Sequence, residues 1–122
     1  MTSSEIKNSL DTIRKVMDEP VSIDNVTGVA EKLEKLSVLL GLSAECIAWA
    51  RKHYDTRLGF LATSKAYKDM TATDRKYVFA SEASQEIFMV NYAESLNKDL
   101  HYCCESLRTL VSLLKQEMRA VA

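Results

Sequence analysis

The chain has 122 residues, the length of one ordinary domain, and a net charge of −1 excludes a globally basic nucleic-acid-binding protein. Hydrophobic residues make up 47% and charged residues 27%, which excludes both a disordered chain and a fibrous repeat. Three glycines and one proline are too few for the turns of a many-stranded sheet, so the composition predicts an all-α domain.

The first predicted helix covers residues 3–17. Thr2 followed by Glu5 has the spacing of a capping box at its start. Pro20 lies just past its end, where it disfavours a helical conformation in the residue before it. The apolar residues recur at steps of four, three and four, which places them on one helical face: Ile6, Leu10, Ile13 and Met17.

Two further helices, over residues 23–40 and 44–69, are predicted to meet at a tight corner. Gly41 suits the left-handed residue that closes a helix. Ser43 is a favourable N-cap for the helix that follows. The pattern therefore predicts that the chain turns sharply between residues 40 and 44.

The last predicted helix, over residues 84–119, has the clearest signal in the sequence. A short helix over about 74–82, capped by Thr73 or Thr71, precedes it, and the pattern leaves open whether the two are separate. At 1.5 Å per residue the last helix is about 54 Å long. Its apolar residues follow a coiled-coil heptad, with alternating steps of four and three: Met89, Ala93, Leu96, Leu100, Cys103, Leu107, Leu110 and Leu114.

Together these elements predict one helical domain of four or five helices. Residues 1–41 form an N-terminal helical pair, and residues 43–122 form a long antiparallel hairpin. The heptad seam is longer than the helix over 44–69 can cover, so a homodimer or a larger oligomer is expected. The residues predicted on this oligomer seam are Leu96, Leu100, Leu107, Leu110 and Leu114.

Neither a metal, a cofactor nor an enzymatic activity is expected. His101 and Cys104 share a helical face, but Cys103 belongs to the apolar seam, and the sequence has no C-x₂-C pair. A thiolate–imidazole pair of Cys104 and His101 would have no third group to orient it. Three cysteines, no signal peptide and no long apolar run are typical of a reduced cytoplasmic protein without a membrane segment.

The middle third of the chain is its basic part. Residues 48–76 carry seven bases and three acids, a balance of +4. Cations interleaved with aromatic rings favour single-stranded nucleic acid, because cations follow the backbone while rings stack on bases. The alternative is an ordinary solvated helix face. The residues expected to bind nucleic acid or a partner are Arg57, Lys65, Tyr67, Lys68, Arg75 and Lys76.

The region of about residues 40–118 resembles a class of small all-helical phage proteins encoded among recombination and single-strand-DNA functions. The resemblance implies a phage or prophage origin, the cytoplasm of a bacterial host and a role in DNA metabolism, with no catalytic residues to carry over. The matching stretches are Lys65-Ala66-Tyr67-Lys68, Thr73-Asp74-Arg75-Lys76, Tyr92-Ala93-Glu94 and residues 107–115.

Three functional hypotheses follow. The first is a non-enzymatic accessory protein of phage recombination or replication that binds single-stranded DNA or its recombinase. The second is a protein-binding adaptor or inhibitor, such as a phage anti-defence protein that occludes a host defence complex. The third, which the heptad alone supports, is a self-associating structural protein.

Overall fold

The computed structural model describes residues 1–121, and these form five helices without a strand, which confirms the all-α prediction. None of the helices in this part of the chain combines the length and apolarity that crossing a membrane requires. The helices are α1 (Ser3–Asp18), α2 (Val26–Ala62), α3 (Lys65–Lys68), α4 (Ala72–Glu82) and α5 (Ser84–Val121).

The two long helices, α2 and α5, form the antiparallel hairpin that dominates the molecule. Each is about 55 Å long at 1.5 Å per residue. Ser43 of α2 contacts Asn97 of α5, and Arg57, further along α2, contacts Glu82 just before α5 begins. Residues later in α2 therefore contact residues earlier in the chain around the start of α5, as an antiparallel pair requires.

Helix α1 packs along the middle of this hairpin and completes a three-helix core. The Met1 carbonyl lies 2.7 Å from His53 Nε2, and the Lys32 ammonium donates to the Met17 carbonyl, so α1 runs antiparallel to α2. Thr2 caps α1 by accepting from the Glu5 amide, as predicted. The buried core residues of the three helices are Ile6, Leu10, Ile13, Val29, Leu36, Cys46, Ala50, Ala93, Leu96, Leu100, Cys104 and Leu107.

The predicted corner at residues 41–43 is wrong, because α2 continues through it. Gly41 keeps a helical backbone, and Ser43 is buried against α5 instead of capping a new helix. A glycine inside a helix costs about 1 kcal/mol relative to alanine, and the apolar contacts along α2 offset that cost. The residues predicted as an N-terminal helical pair are thus α1 and the first half of a single long helix.

The helix predicted to reach residue 69 ends earlier, at Ala62. Ser64 Oγ then accepts from the Tyr67 amide and starts the four-residue α3. Thr71 caps α4 by accepting from the Asp74 amide at 3.2 Å, which decides between the two predicted caps. The segment between α2 and α5 is thereby divided into two short helices that fold back against the hairpin.

Helices α4 and α5 are separate, a point that the pattern left open. They meet at Ala83, which is buried and adopts a non-helical backbone conformation. Along α5, Cys104 is buried whereas Cys103, predicted on the seam, is only half-buried. In a straight helix, positions seven residues apart are rotated by about 20° around the helix axis relative to a strict heptad repeat. This rotation brings Cys104, the residue after Cys103, to the side that faces the core.

Candidate nucleic-acid interface

The segment that joins α2 to α5 lies at one end of the hairpin and holds most of the predicted binding residues. Residues 64–79 carry four bases and two acids. We call this segment the basic tip. It is built from α3, which contacts α2, and from α4, which contacts α5.

The core of the basic tip is a contact between two aromatic rings. Tyr67 of α3 and Phe79 of α4 stack with ring centroids 4.7 Å apart and planes 16° from parallel. The Arg75 guanidinium carbon lies 4.8 Å from the centroid of the Tyr67 ring. Tyr67, predicted as the ring that stacks on bases, is therefore half-buried and already occupied by contacts within the protein.

Arg75 joins α3 to α4. Its Nε donates to the Tyr67 carbonyl at 3.2 Å, and its Nη2 donates to the Lys68 carbonyl at 3.0 Å. These carbonyls belong to the end of α3, and the Tyr67 carbonyl also accepts from the Met70 amide at 3.1 Å. Arg75 therefore positions α3, and the predicted role of a free cation fits it less well.

Arg57 lies at the base of the tip, on α2. Its Nη2 is 3.5 Å from Glu82 Oε2, and its guanidinium carbon is 5.9 Å from the Phe60 ring centroid. This ion pair links the last turns of α2 to the end of α4. Arg57 thus has a carboxylate partner that a phosphate group would have to displace.

The three lysines predicted for the site are free of such contacts. Lys65, Lys68 and Lys76 are exposed, and the ion pairs found in the described part of the chain do not include them. Phe60 and Tyr77 are 68% and 70% exposed. The sequence pattern does not separate Tyr67 from these two rings, because packing of a ring between α3 and α4 is a tertiary contact that leaves no local signal.

Most residues of the predicted oligomer seam are buried or half-buried within a single copy of the chain. Leu96, Leu100 and Leu107 are buried against α1 and α2, whereas Leu110 and Leu114 are half-buried. The last turns of the same helix also carry exposed apolar side chains. Leu113, Met118 and Val121 are 51%, 60% and 89% exposed.

The cysteines and His101 do not converge on one site. Cys46 and Cys104 are buried, and burial raises the pKa of both thiols, which keeps them protonated at neutral pH. His101 is exposed on α5. Across residues 1–121, no group of three or more His, Cys, Asp or Glu side chains is placed to hold a metal ion.

A scan against models of protein families, a search of curated proteins and a search of solved structures each found no match to this chain. The basic tip and the exposed helical surfaces are therefore the basis for assigning a function.

Proposed function

We propose that this chain is a non-enzymatic accessory protein of phage recombination or replication that binds single-stranded DNA through its basic tip. The observation that carries the proposal is the combination of three exposed lysines with two exposed rings at one end of the hairpin. Lysines attract the phosphates, and an exposed ring offers a face on which a base stacks. The resemblance to phage recombination proteins supports the same setting.

The contacts inside the basic tip support separate roles for residues that position α3 and for residues that contact DNA. Arg75 and Tyr67 hold α3 against α4, so that Lys65 and Lys68 are presented on a short, ordered element. An ordered cation loses less conformational entropy on binding than one on a free loop. Tyr67 and Arg75 are then positioning residues, and the exposed lysines and rings are the groups that touch DNA.

Salt dependence and charge reversal test the lysines. We expect the affinity for single-stranded oligonucleotides to fall with salt at a log–log slope of about −0.7 per phosphate neutralised. Replacing Lys65 and Lys68 together by Glu should weaken binding to every sequence alike, because phosphate contacts carry no sequence information. Unfolding free energy should change by no more than about 0.5 kcal/mol per exposed site. Fluorescence anisotropy and urea denaturation measure the two quantities.

The matched control is the reversal of two exposed lysines on α1, Lys7→Glu with Lys15→Glu. It changes the net charge by the same amount but lies away from the tip. Equal loss of affinity in both double variants would mean that binding is a nonspecific effect of net charge. Absence of binding at about 50 mM salt, where electrostatic binding is strong, would refute the proposal.

The exposed rings give a second, independent test. Phe60→Ala and Tyr77→Ala should each lower affinity by about 5- to 100-fold if a base stacks on the ring. The salt slope should stay unchanged, because no phosphate contact is removed. Unchanged affinity in both variants would leave only the lysines at the interface and contradict a stacking site.

A protein-binding adaptor or inhibitor is the second candidate, favoured by the apolar groups exposed along the end of α5. Leu113, Met118 and Val121 would lie at such an interface. This alternative predicts no DNA binding at low salt and a partner protein, such as a recombinase or a host defence complex, whose capture survives the Lys65 and Lys68 reversals. Leu113→Asp with Met118→Asp should abolish that capture.

A further inference from the structure

A second row of residues runs along the outer side of α5, and we call it the outer stripe. Its members recur at alternating steps of four and three, the period that places residues on one face of a packed helix. The stripe is about 38 Å long at 1.5 Å per residue. Every member except the half-buried Tyr92 is exposed. The members are Phe88, Tyr92, Ser95, Asp99, Tyr102, Ser106, Thr109 and Leu113.

The composition of the outer stripe differs from that of a solvated helix face, which is usually charged. Asp99 is its one charged member, although residues 88–113 carry five charged side chains. The side chains of Phe88, Tyr102 and Leu113 are 65%, 59% and 51% exposed. A row of exposed apolar groups on an otherwise charged helix is typical of an interaction surface.

The two halves of the outer stripe differ in shape. Along residues 88–99, α1 lies beside the stripe, and the two helices form a groove of about 500 Å³. Because α1 ends at Asp18, which lines this groove together with Asp99, residues 102–113 lie beyond α1. One half of the stripe is therefore a groove, and the other half is a free ridge. The residues that α1 contributes to the groove are Arg14, Met17 and Asp18.

We propose that the outer stripe is the interface of a homodimer in which two copies of α5 pack antiparallel across a two-fold axis. The axis passes between Asp99 and Tyr102, so the ridge of each copy occupies the groove of the other. Such an interface is isologous, because the same patch of surface serves both copies.

The outer pairs of facing residues fit this alignment. Phe88 of one copy faces Leu113 of the second copy, so the most exposed ring of the stripe meets an exposed aliphatic group. Tyr92 faces Thr109 of the second copy. The Thr109 hydroxyl already donates to the Glu105 carbonyl at 3.1 Å, so this hydroxyl needs no partner across the interface.

The central pairs fit it as well. Ser95 faces Ser106 of the second copy, and two small side chains let the helices approach closely. Asp99 faces Tyr102 of the second copy, whose hydroxyl donates to the carboxylate. The single charge of the stripe therefore gains a hydrogen-bond partner on dimerisation.

Charges beside the stripe select the antiparallel direction. Lys98 and Glu105 are exposed and flank the stripe on the side away from α1. The ion pairs found among residues 1–121 include neither of them. In the antiparallel alignment, Lys98 of each copy lies near Glu105 of the other, and flanking charges of this kind set helix orientation. A parallel alignment would place Lys98 beside Cys103, which offers no opposite charge.

This dimer is independent of the DNA-binding function proposed for the basic tip. The outer stripe is also a different face of α5 from the apolar seam that packs on α1 and α2. Because the basic tip lies at the start of α5, antiparallel packing places the two tips at opposite ends of the dimer.

Charge complementation between two variants tests the proposal. Sedimentation velocity of the full chain at high micromolar concentration and about 50 mM salt, where charge pairs are weakly screened, measures association. Lys98→Glu alone and Glu105→Lys alone should each weaken the homodimer by about three- to tenfold, because every charge occurs twice across the axis. An equimolar mixture of the two variants should regain the association of the unmodified chain, since each contact again joins an acid to a base.

The matched control makes the same exchange on α2, with Lys52→Glu and Glu45→Lys. These two positions are also exposed and seven residues apart. Association should be unchanged in both control variants and in their mixture. A mixture of the two α5 variants that stays as weakly associated as each variant alone would overturn the antiparallel interface.

Truncation of one exposed ring gives a second measurement. Phe88→Ala should weaken association by about 5- to 30-fold, because a large aromatic side chain leaves the interface. Phe60→Ala, which removes a ring of similar exposure from the end of α2, should leave association unchanged. A monomeric unmodified chain at high micromolar concentration would refute the proposal, as would association that Phe88→Ala and Lys98→Glu leave intact.

Discussion

At the scale of single residues, one polar pair inside the α2–α5 interface stands out. Ser43 is fully buried, and its Oγ accepts from Asn97 Nδ2 at 2.9 Å. A polar group in an apolar seam is satisfied in one alignment of the two helices and left without its partner when they slide. The pair therefore favours a single register for the hairpin.

We expect Asn97→Ala to lower the free energy of unfolding by about 1–3 kcal/mol, since it leaves the buried Ser43 hydroxyl without this partner. Ser43→Ala should cost less, because Asn97 is half-buried and water can replace the lost contact. Urea denaturation of both variants and of the double variant measures the coupling between them. If Asn97→Ala is as stable as the unmodified chain, the pair has no role in the register.

At the scale of elements, the continuity of α2 is the main departure from the sequence pattern. Gly41 and Ser43 have the composition of a helix end followed by a helix start, yet both lie inside one helix. The position of Gly41 on the exposed side of α2 allows a direct test, because an added Cβ meets nothing within 4 Å.

Gly41→Ala should stabilise the protein by about 0.5–1 kcal/mol, because alanine loses less backbone entropy in a helix. The same substitution at a left-handed helix end would be destabilising, so the sign distinguishes a continuous α2 from a corner. Gly28→Ala is the matched control: its Cβ would lie 3.1 Å from Asn25 Nδ2, and the Asn25 side chain caps α2. Thermal unfolding of the two variants should show a gain for the first and no gain for the second.

At the scale of the whole molecule, the apolar heptad residues of α5 lie in two different environments. The part from Ala93 to Leu107 is buried by α1 and α2, and the part from Leu110 onward is progressively exposed. Along the heptad face of the described residues, the end of α5 is therefore the part left for a second copy of the chain to cover. The predicted association through this face, if it occurs, should centre on that end.

We expect Leu110→Asp to weaken both the fold and any self-association, because a charge at a half-buried position is desolvated without a partner. Light scattering at high micromolar concentration reports the assembly, and circular dichroism reports the fold. Leu113→Asp is the control for the fold, since Leu113 is half exposed and its loss should affect association alone. A monomeric mass for the unmodified chain with full helicity would show that the hairpin needs no second copy.

The helical periods of α1 and α5 were sufficient to place these helices within a few residues. Ile6, Leu10 and Ile13 repeat along one face and are all buried, because amphipathic spacing directly encodes which side a helix packs. For the predicted binding residues, which stay a prediction, the structure gives the exposure and the internal contacts. Lys65, Lys68 and Lys76 are exposed as expected, but Tyr67 and Arg75 are used to join α3 to α4.

By itself the sequence determined the all-α class, the apolar faces and the position of the basic segment, because each depends on neighbours a few residues apart. Tertiary structure alone decided that α2 runs through Gly41, that Cys104 packs inward in place of Cys103, and that Phe60 and Tyr77 are exposed near the basic tip whereas Tyr67 is packed. These outcomes depend on contacts between residues far apart in the chain. A local preference for a corner, a seam position or a stacking ring is overridden when burial against another helix contributes more free energy than that preference.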